Sequence, residues 1–206
     1  MALAIISPTA LAAHFSPFAG RFDCPGIGNS MECARFTERA LHSPYVRRVA
    51  QGRLDILLMG GGTRSLVDGD PANVADGEFY SALELDPRHR FVVIHRQHYE
   101  GSVFGLLDRK TGTLTPLGGY PVLSPDRHWI AVADSDEESA TLQIFSVNGG
   151  RLMKAFDANP QNWGIRGVAW DSNTVLSYRR VDSECLDEKQ GMCPRVLVQF
   201  DGKRWR

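Results

Sequence analysis

An all-β chain is the fold class this sequence predicts: propeller-like antiparallel blades, about three to four, after one short helix, with a β-sandwich as the alternative. Three observations predict it. Twenty glycines and eleven prolines supply many turns, while 43% hydrophobic residues with ten Phe, five Tyr and four Trp suffice for a packed core. From Arg53 onward, short runs of Val, Ile, Leu, Phe and Tyr alternate with turn signals, as β-strands do. Two kinds of hairpin recur at one shared spacing. Glycine turns occur in Ile56-Leu-Leu-Met-Gly-Gly-Gly62, Leu106-Leu-Asp-Arg-Lys-Thr-Gly112, Ile144-Phe-Ser-Val-Asn-Gly-Gly150 and Val198-Gln-Phe-Asp-Gly202. Pro/Asp turns occur in Leu85-Asp-Pro87-Arg-His-Arg-Phe, Leu123-Ser-Pro125-Asp-Arg-His-Trp and Trp170-Asp-Ser172-Asn-Thr.

Pro87 to Pro125 and Gly112 to Gly150 are both 38 residues apart, so the two hairpin types share a period and mark a repeated unit. Gly150 to Gly202 is 52 residues, and the insertion holding Cys185 and Cys193 accounts for the excess. A repeat near 40 residues with four short antiparallel strands has the dimensions of a propeller blade. If the units are equivalent, Phe91-Val92-Val93 and Trp129-Ile130-Ala131 are matching core strands with matching burial.

The segment Leu123-Ser-Pro-Asp-Arg-His-Trp-Ile-Ala-Val-Ala133, preceded by Asp108-Arg-Lys-Thr-Gly112 and Leu114-Thr-Pro-Leu117, resembles the repeat of TolB-type β-propellers. In that family a D-x-x-T-G turn and an S-P-D-G turn punctuate each blade. Arg127 stands where the family glycine usually falls, and if its backbone has positive φ, glycine there would be neutral or slightly stabilising. The resemblance covers about residues 79 to 180 and implies a fold, while leaving the function open.

At 206 residues the chain fits one domain with a substantial core. Residues 1–12 read as the remnant of a signal peptide, ending in the small-x-small pattern Ala10-Leu11-Ala12, and residues 13–206 as a single β-rich domain. A helix is expected near 30–42, with Ser30 as N-cap, Met31, Ala34, Phe36 and Leu41 at near-helical spacing, and Ser43-Pro44 as the stop. The repeats then occupy 53–206. Cys24 with Cys33, and Cys185 with Cys193, form sequence-local pairs flanked by turn formers, and two short disulfide loops are the natural reading. A four-cysteine zinc site is the rival, but it lacks the C-x-x-C spacing that preorganises such sites. Exported disulfides and a signal remnant agree on a periplasmic or secreted location.

Charge excludes more than it identifies. Twenty-three Lys and Arg against twenty-four Asp and Glu leave a formal charge of −1, so nothing marks the whole chain for nucleic acid, and no apolar run is long enough to span a bilayer. Gly60-Gly-Gly-Thr-Arg-Ser65 invites a phosphate-loop reading but lacks the lysine and helix that go with one, and a hairpin turn is the simpler account. His95 and His98, three apart on an expected strand, point to opposite faces and share no metal. Asp134, Asp136, Glu137 and Glu138 lack the glycine and distal glutamate of a calcium loop and read as a solvated hairpin tip.

No nucleophile elbow is present, and neither cysteine pair offers a lone nucleophile with a placed histidine, so catalytic residues stay unassigned and no cofactor is expected. Tyr99 with Glu100, and His128 with Trp129, are adjacent pairs that a polar cleft could use. Trp129, Trp163, Trp170 and Tyr178 gather in the second half, and Trp163, between Pro160, Asn162 and Gly164, is either a lid on the core or a contact for a partner. The leading functional expectation is an extracytoplasmic binding or scaffold module that presents blade loops to a protein or peptide. The alternative is a hydrolase or lyase whose pocket draws residues from several blades.

Overall fold

The structure, a computed structural model, describes residues 30–49, 52–70, 77–85, 90–98, 101–135, 140–148, 151–182, 185 and 193–206. One helix and four antiparallel sheets follow one another along the chain. Helix α1 (Ser30–Ala40) precedes a sheet of β1 (Val46–Val49), β2 (Arg53–Leu57) and β3 (Thr63–Val67). The second sheet holds β4 (Phe79–Leu85), β5 (Phe91–His98), β6 (Gly101–Asp108) and β7 (Thr113–Leu117). The third holds β8 (Pro121–Leu123), β9 (Trp129–Ser135), β10 (Ala140–Asn148) and β11 (Arg151–Ala158), and the fourth β12 (Gly164–Ser172), β13 (Val175–Val181) and β14 (Arg195–Gln199). In every sheet, spatial order equals chain order, as local hairpins dictate.

Turn chemistry explains where the strands reverse. At the Pro125 turn, the Arg127 amide donates to the Ser124 carbonyl (2.8 Å), Ser124 Oγ donates to Asp126 (2.6 Å) and the Trp129 amide donates back to Ser124 Oγ (3.0 Å). Arg127 has φ 61°, in the left-handed region. At the Asp108 turn, the Gly112 amide donates to the Asp108 carbonyl (2.7 Å) with Gly112 at φ 76°. In both turns an Asp side chain accepts a backbone amide two residues on, Lys110 to Asp108 (2.9 Å) and His128 to Asp126 (3.1 Å). The Pro87 turn and Gly150 lie outside the described residues.

Three hydrophobic clusters fill the joints between consecutive sheets. Leu54, Ile56 and Leu66 of the first sheet meet Ala82, Val92, Ile94 and Leu107 of the second. Leu83, Phe91, Val93, Phe104 and Leu106 meet Ile130 and Val132 of the third, with Ala34 of α1 added. Ala131, Leu142 and Ile144 meet Ile165, Val168, Leu176, Tyr178 and Val198 of the fourth. Among the described residues, no cluster joins the fourth sheet to the first.

The repeat is visible in the phasing of side chains. In β5, Phe91 and Val93 face the following sheet and Val92 the preceding one; in β9, Trp129 and Ala131 face the following sheet and Ile130 the preceding one. The two strands are equivalent, as the 38-residue spacing requires. Burial differs at one position: Phe91 is buried, whereas Trp129 is half-buried at the rim of its joint.

Two boundaries move. Strands begin at Val46, ahead of Arg53, because Val46-Arg-Arg-Val49 is too short and charged to announce itself, and it pairs with β2 from Val46↔Ile56 to Val49↔Arg53. The helix ends at Ala40, with His42 at φ 40° before Pro44, and it buries Cys33 and Ala34 while Phe36 stays 54% exposed. The burying stripe is therefore displaced from the one the apolar spacing predicted. Ionic contacts set it: Glu38 accepts from Arg48 Nε (2.8 Å) and Nη2 (2.6 Å), while Arg35 and Arg48 both reach Asp68, at 2.5 and 3.1 Å. Backbone groups of the second sheet complete the network. The Tyr80 amide donates to Asp68 (2.8 Å), the Ala82 amide to Glu38 (3.0 Å), and Arg48 donates to the Tyr80 carbonyl (2.5 Å).

Candidate functional site at the end of the last sheet

The fourth sheet collects the sequence features that had no other structural explanation. Trp163 immediately precedes β12, where Gly164 pairs with Val181 and Ile165 with Arg180. Its ring stacks on Tyr178, with centroids 6.1 Å apart and planes 8° from parallel, and the Arg180 guanidinium lies 5.2 Å from the Trp163 centroid. Tyr178 and Arg180 are two residues apart on β13 and so present the same face to the indole. Tyr178 is buried, which raises its phenol above the ordinary value, while the nearby Arg180 charge pulls the other way. Arg180 also pairs with Asp182 (3.3 Å). Trp163 is thus a half-buried cap on the core that keeps part of its surface in solvent.

A covalent staple holds this end. Cys185 and Cys193 are disulfide-bonded across a separation of eight residues, tying the exit of β13 to the entry of β14, and the Arg180 amide donates to the Pro194 carbonyl (3.0 Å) beside it. Closing so short a loop stabilises by about 2–3 kcal/mol in the chain-entropy treatment. Cys33 is also disulfide-bonded; its expected partner, Cys24, lies outside the described residues, as do residues 1–12, where a signal remnant was expected.

Beyond β14 the chain turns at Asp201, whose carboxylate accepts the amides of Lys203 and Arg204 (both 2.9 Å) and titrates below the usual range for that reason. The turn returns Trp205 to Phe200 and places it, 5% exposed, among Trp129 (5.2 Å), Trp170 (5.6 Å) and Phe200 (5.4 Å). Trp170 Nε1 donates to the Val122 carbonyl at 2.8 Å. These rings touch one another and pack against the third cluster, so Trp129 and Trp170 belong to the core.

The remaining candidates separate. His95 is buried against Phe104 (5.6 Å), and burial, followed by the positive charge of Arg35, lowers its imidazole to about 4, so it is neutral at pH 7. His98 ends the same strand on the opposite face, and among the described residues no group of three metal-ligating side chains occurs. Gly60 to Gly62 form an open hairpin turn, Gly61 and Gly62 at φ 85° and 78°, capped by the Gly61 amide donating to the Leu58 carbonyl. His128 is exposed and pairs with Asp126 (3.0 Å). Burial pushes Asp126 up, but hydrogen bonds from Ser124 and His128 outweigh it and hold the carboxyl below its ordinary value. Asp134 is exposed, whereas Asp136, Glu137, Glu138, Tyr99 and Glu100 lie outside the described residues.

Sequence reasoning missed two features because both depend on strand register: the Arg35–Glu38–Arg48–Asp68 network, and a row of arginines across the fourth sheet. Among the described residues, no helix is long and apolar enough to cross a membrane. No protein-family model matches the chain, and no curated protein matches it.

Proposed function

We propose that the chain is an extracytoplasmic binding or scaffold module, its sheets arranged as propeller-like blades, that presents the loop end of its last sheet to a protein or peptide. The observation that carries this reading is Trp163: an indole fixed by stacking on Tyr178 and Arg180, partly in solvent, on a sheet end stapled by Cys185–Cys193. A rigid aromatic that needs no ordering on contact is the kind of anchor that dominates interfaces. The disulfides are compatible with an oxidising compartment, and the repeat's resemblance to TolB-type blades supports a scaffold whose loops carry the function.

The test is capture from a periplasmic or culture-supernatant extract, with the oxidised chain and its Trp163→Ala variant as parallel baits and both baits shown to be folded by circular dichroism. The reading expects a partner held by the parent chain and lost, or weakened at least tenfold, in the variant. Equal capture by both, or none by the parent, contradicts it.

A further inference from the structure

The first strand of the second sheet has its outer edge closed by side chains. The order β4-β5-β6-β7 sets β4 at the end of the sheet, paired to β5 on one side. Backbone groups alternate in direction along a strand, and Glu78, Tyr80 and Ala82 turn theirs away from β5. At Glu78 the edge is met by main chain, the Gly69 amide donating to the Glu78 carbonyl at 2.7 Å. Beyond it, side chains take over. The Tyr80 amide donates to Asp68 Oδ1 (2.8 Å), Arg48 Nη2 donates to the Tyr80 carbonyl (2.5 Å), and the Ala82 amide donates to Glu38 Oε2 (3.0 Å). Acceptor, donor, acceptor is the order in which the main chain of a neighbouring strand would meet these groups.

A bare sheet edge invites pairing with another chain, and charged side chains are one way in which folds blunt it. Here the blunting groups come from three places: Glu38 from α1, Arg48 from β1 and Asp68 from the residue after β3. Arg35 of α1 ties them together, 2.5 Å from Asp68 and 3.9 Å from Glu38. The helix has little apolar hold of its own, since it buries the small residues Cys33 and Ala34 and leaves Phe36 in solvent. Eleven residues are too few for a helix to persist unsupported, so its seat depends on these ionic contacts. Both arginine side chains, 23% and 27% exposed, are open to screening by salt. Lifting the helix also divides the charges evenly: Arg35 and Glu38 leave together, while Arg48 stays with Asp68 at 3.1 Å.

We infer that α1 is a releasable cover and that the β4 edge beneath it takes an extended peptide, whose main chain replaces the side-chain bonds at Tyr80 and Ala82. This is strand addition, in which main-chain hydrogen bonds supply the affinity, so the peptide needs no charge. The Gly69 contact at Glu78 and the register shift between Ala82 and Glu84 bound the stretch to Tyr80–Ala82. Three residues of strand span about 10 Å, which suits a short peptide better than the edge of a second sheet. The site lies on a different sheet from Trp163 and does not depend on it.

The experiment is fluorescence anisotropy of a labelled, terminally blocked heptapeptide of alternating Thr and Val, titrated with the full oxidised chain, E38A and R35Q at low and high salt. The control is the same peptide N-methylated at every residue, which offers no main-chain donor. The cover predicts weak binding by the parent that strengthens with salt, the reverse of a contact between opposite charges. E38A, which uncaps Ala82 and unties Arg48, should bind about tenfold tighter, the equivalent of one competing hydrogen bond removed. R35Q, which loosens α1 from Asp68 and keeps Glu38 in place, should bind about threefold tighter, in the range of a surface ion pair. The methylated peptide should bind to none of them. Circular dichroism and thermal melts establish that each variant folds; if E38A melts below the assay temperature, R35Q decides.

Binding that neither variant tightens, that salt weakens, or that the methylated peptide shares overturns the assignment. So does dimerisation of E38A in sedimentation velocity without peptide binding, which would make the edge a self-association surface. Trp163-dependent capture is read with a different variant, so failure at β4 leaves that reading standing.

Discussion

The joint between the first two sheets and the joint between the last two solve one packing problem with opposite chemistry. At the N-terminal joint, aliphatic side chains from both sheets meet, and its edge is closed by two arginines and two carboxylates whose side chains are only 6–7% exposed on the acidic side. At the C-terminal joint, Trp129, Trp170, Phe200 and Trp205 close the edge, ring against ring. The difference follows from what each joint must attach. Helix α1 brings an amphipathic face with Arg35 and Glu38, and charges can anchor it because backbone amides of Tyr80 and Ala82 complete the carboxylates' hydrogen bonds. The chain's last residues bring one large indole, and area does the anchoring.

The largest expected effect is on the aromatic joint. Trp205→Ala removes a buried indole that touches three other rings and should destabilise by about 3–5 kcal/mol in urea unfolding, a large share of ordinary domain stability. Little change would mean that the C-terminal segment does not hold the fourth sheet.

The middle joint gives a pH-dependent test. His95 titrates at about 4 in the fold and near 6.5 when unfolded, so the unfolded chain binds the extra proton between those values. Stability is then full above about pH 6.5 and falls as pH drops towards 4, by about 3 kcal/mol in total at 1.36 kcal/mol per unit. His95→Gln should flatten the difference in stability between pH 6.5 and 4.5, and an unchanged slope would assign the acid sensitivity elsewhere.

Glu38→Gln should cost about 2 kcal/mol, because Arg48 loses one of its two charged partners but keeps Asp68 and, about a quarter exposed, recovers some hydration. The pair Glu38→Leu with Arg48→Met should cost less than the single change, since no charge is then left buried alone. If the double variant is worse, the ionic edge contributes more than its desolvation costs.

The smallest effect belongs to Arg127. Glycine adopts φ 61° without a side-chain clash, so Arg127→Gly should be neutral or stabilise by up to about 1 kcal/mol, read as a shift in thermal midpoint. Destabilisation would show that the arginine side chain matters more than the turn it occupies.

What the sequence revealed and what it hid divide along locality. The Asp108–Gly112 and Ser124–His128 turns were legible because their chemistry is complete within five residues, and the 38-residue period followed from such turns alone. Local cysteine spacing likewise identified Cys185–Cys193. The arginine row was hidden because Arg166, Arg179 and Arg195 become neighbours only through two strand registers, one of them shifted by the irregularity after Arg166. Trp163 was narrowed to cap or contact, and only the stacking partner Tyr178, fifteen residues on, shows that one side chain can do both.

The central claim is that the sheets are serial units, each joined to the next through its own hydrophobic cluster. Hydrogen exchange by mass spectrometry on the parent chain and Trp205→Ala, compared strand by strand, tests it most directly. The account predicts that protection falls in β12–β14 and the facing strands β8–β10 while α1 and β1–β7 keep theirs. A uniform loss from β1 to β14, at a stability where the parent remains folded, would contradict it.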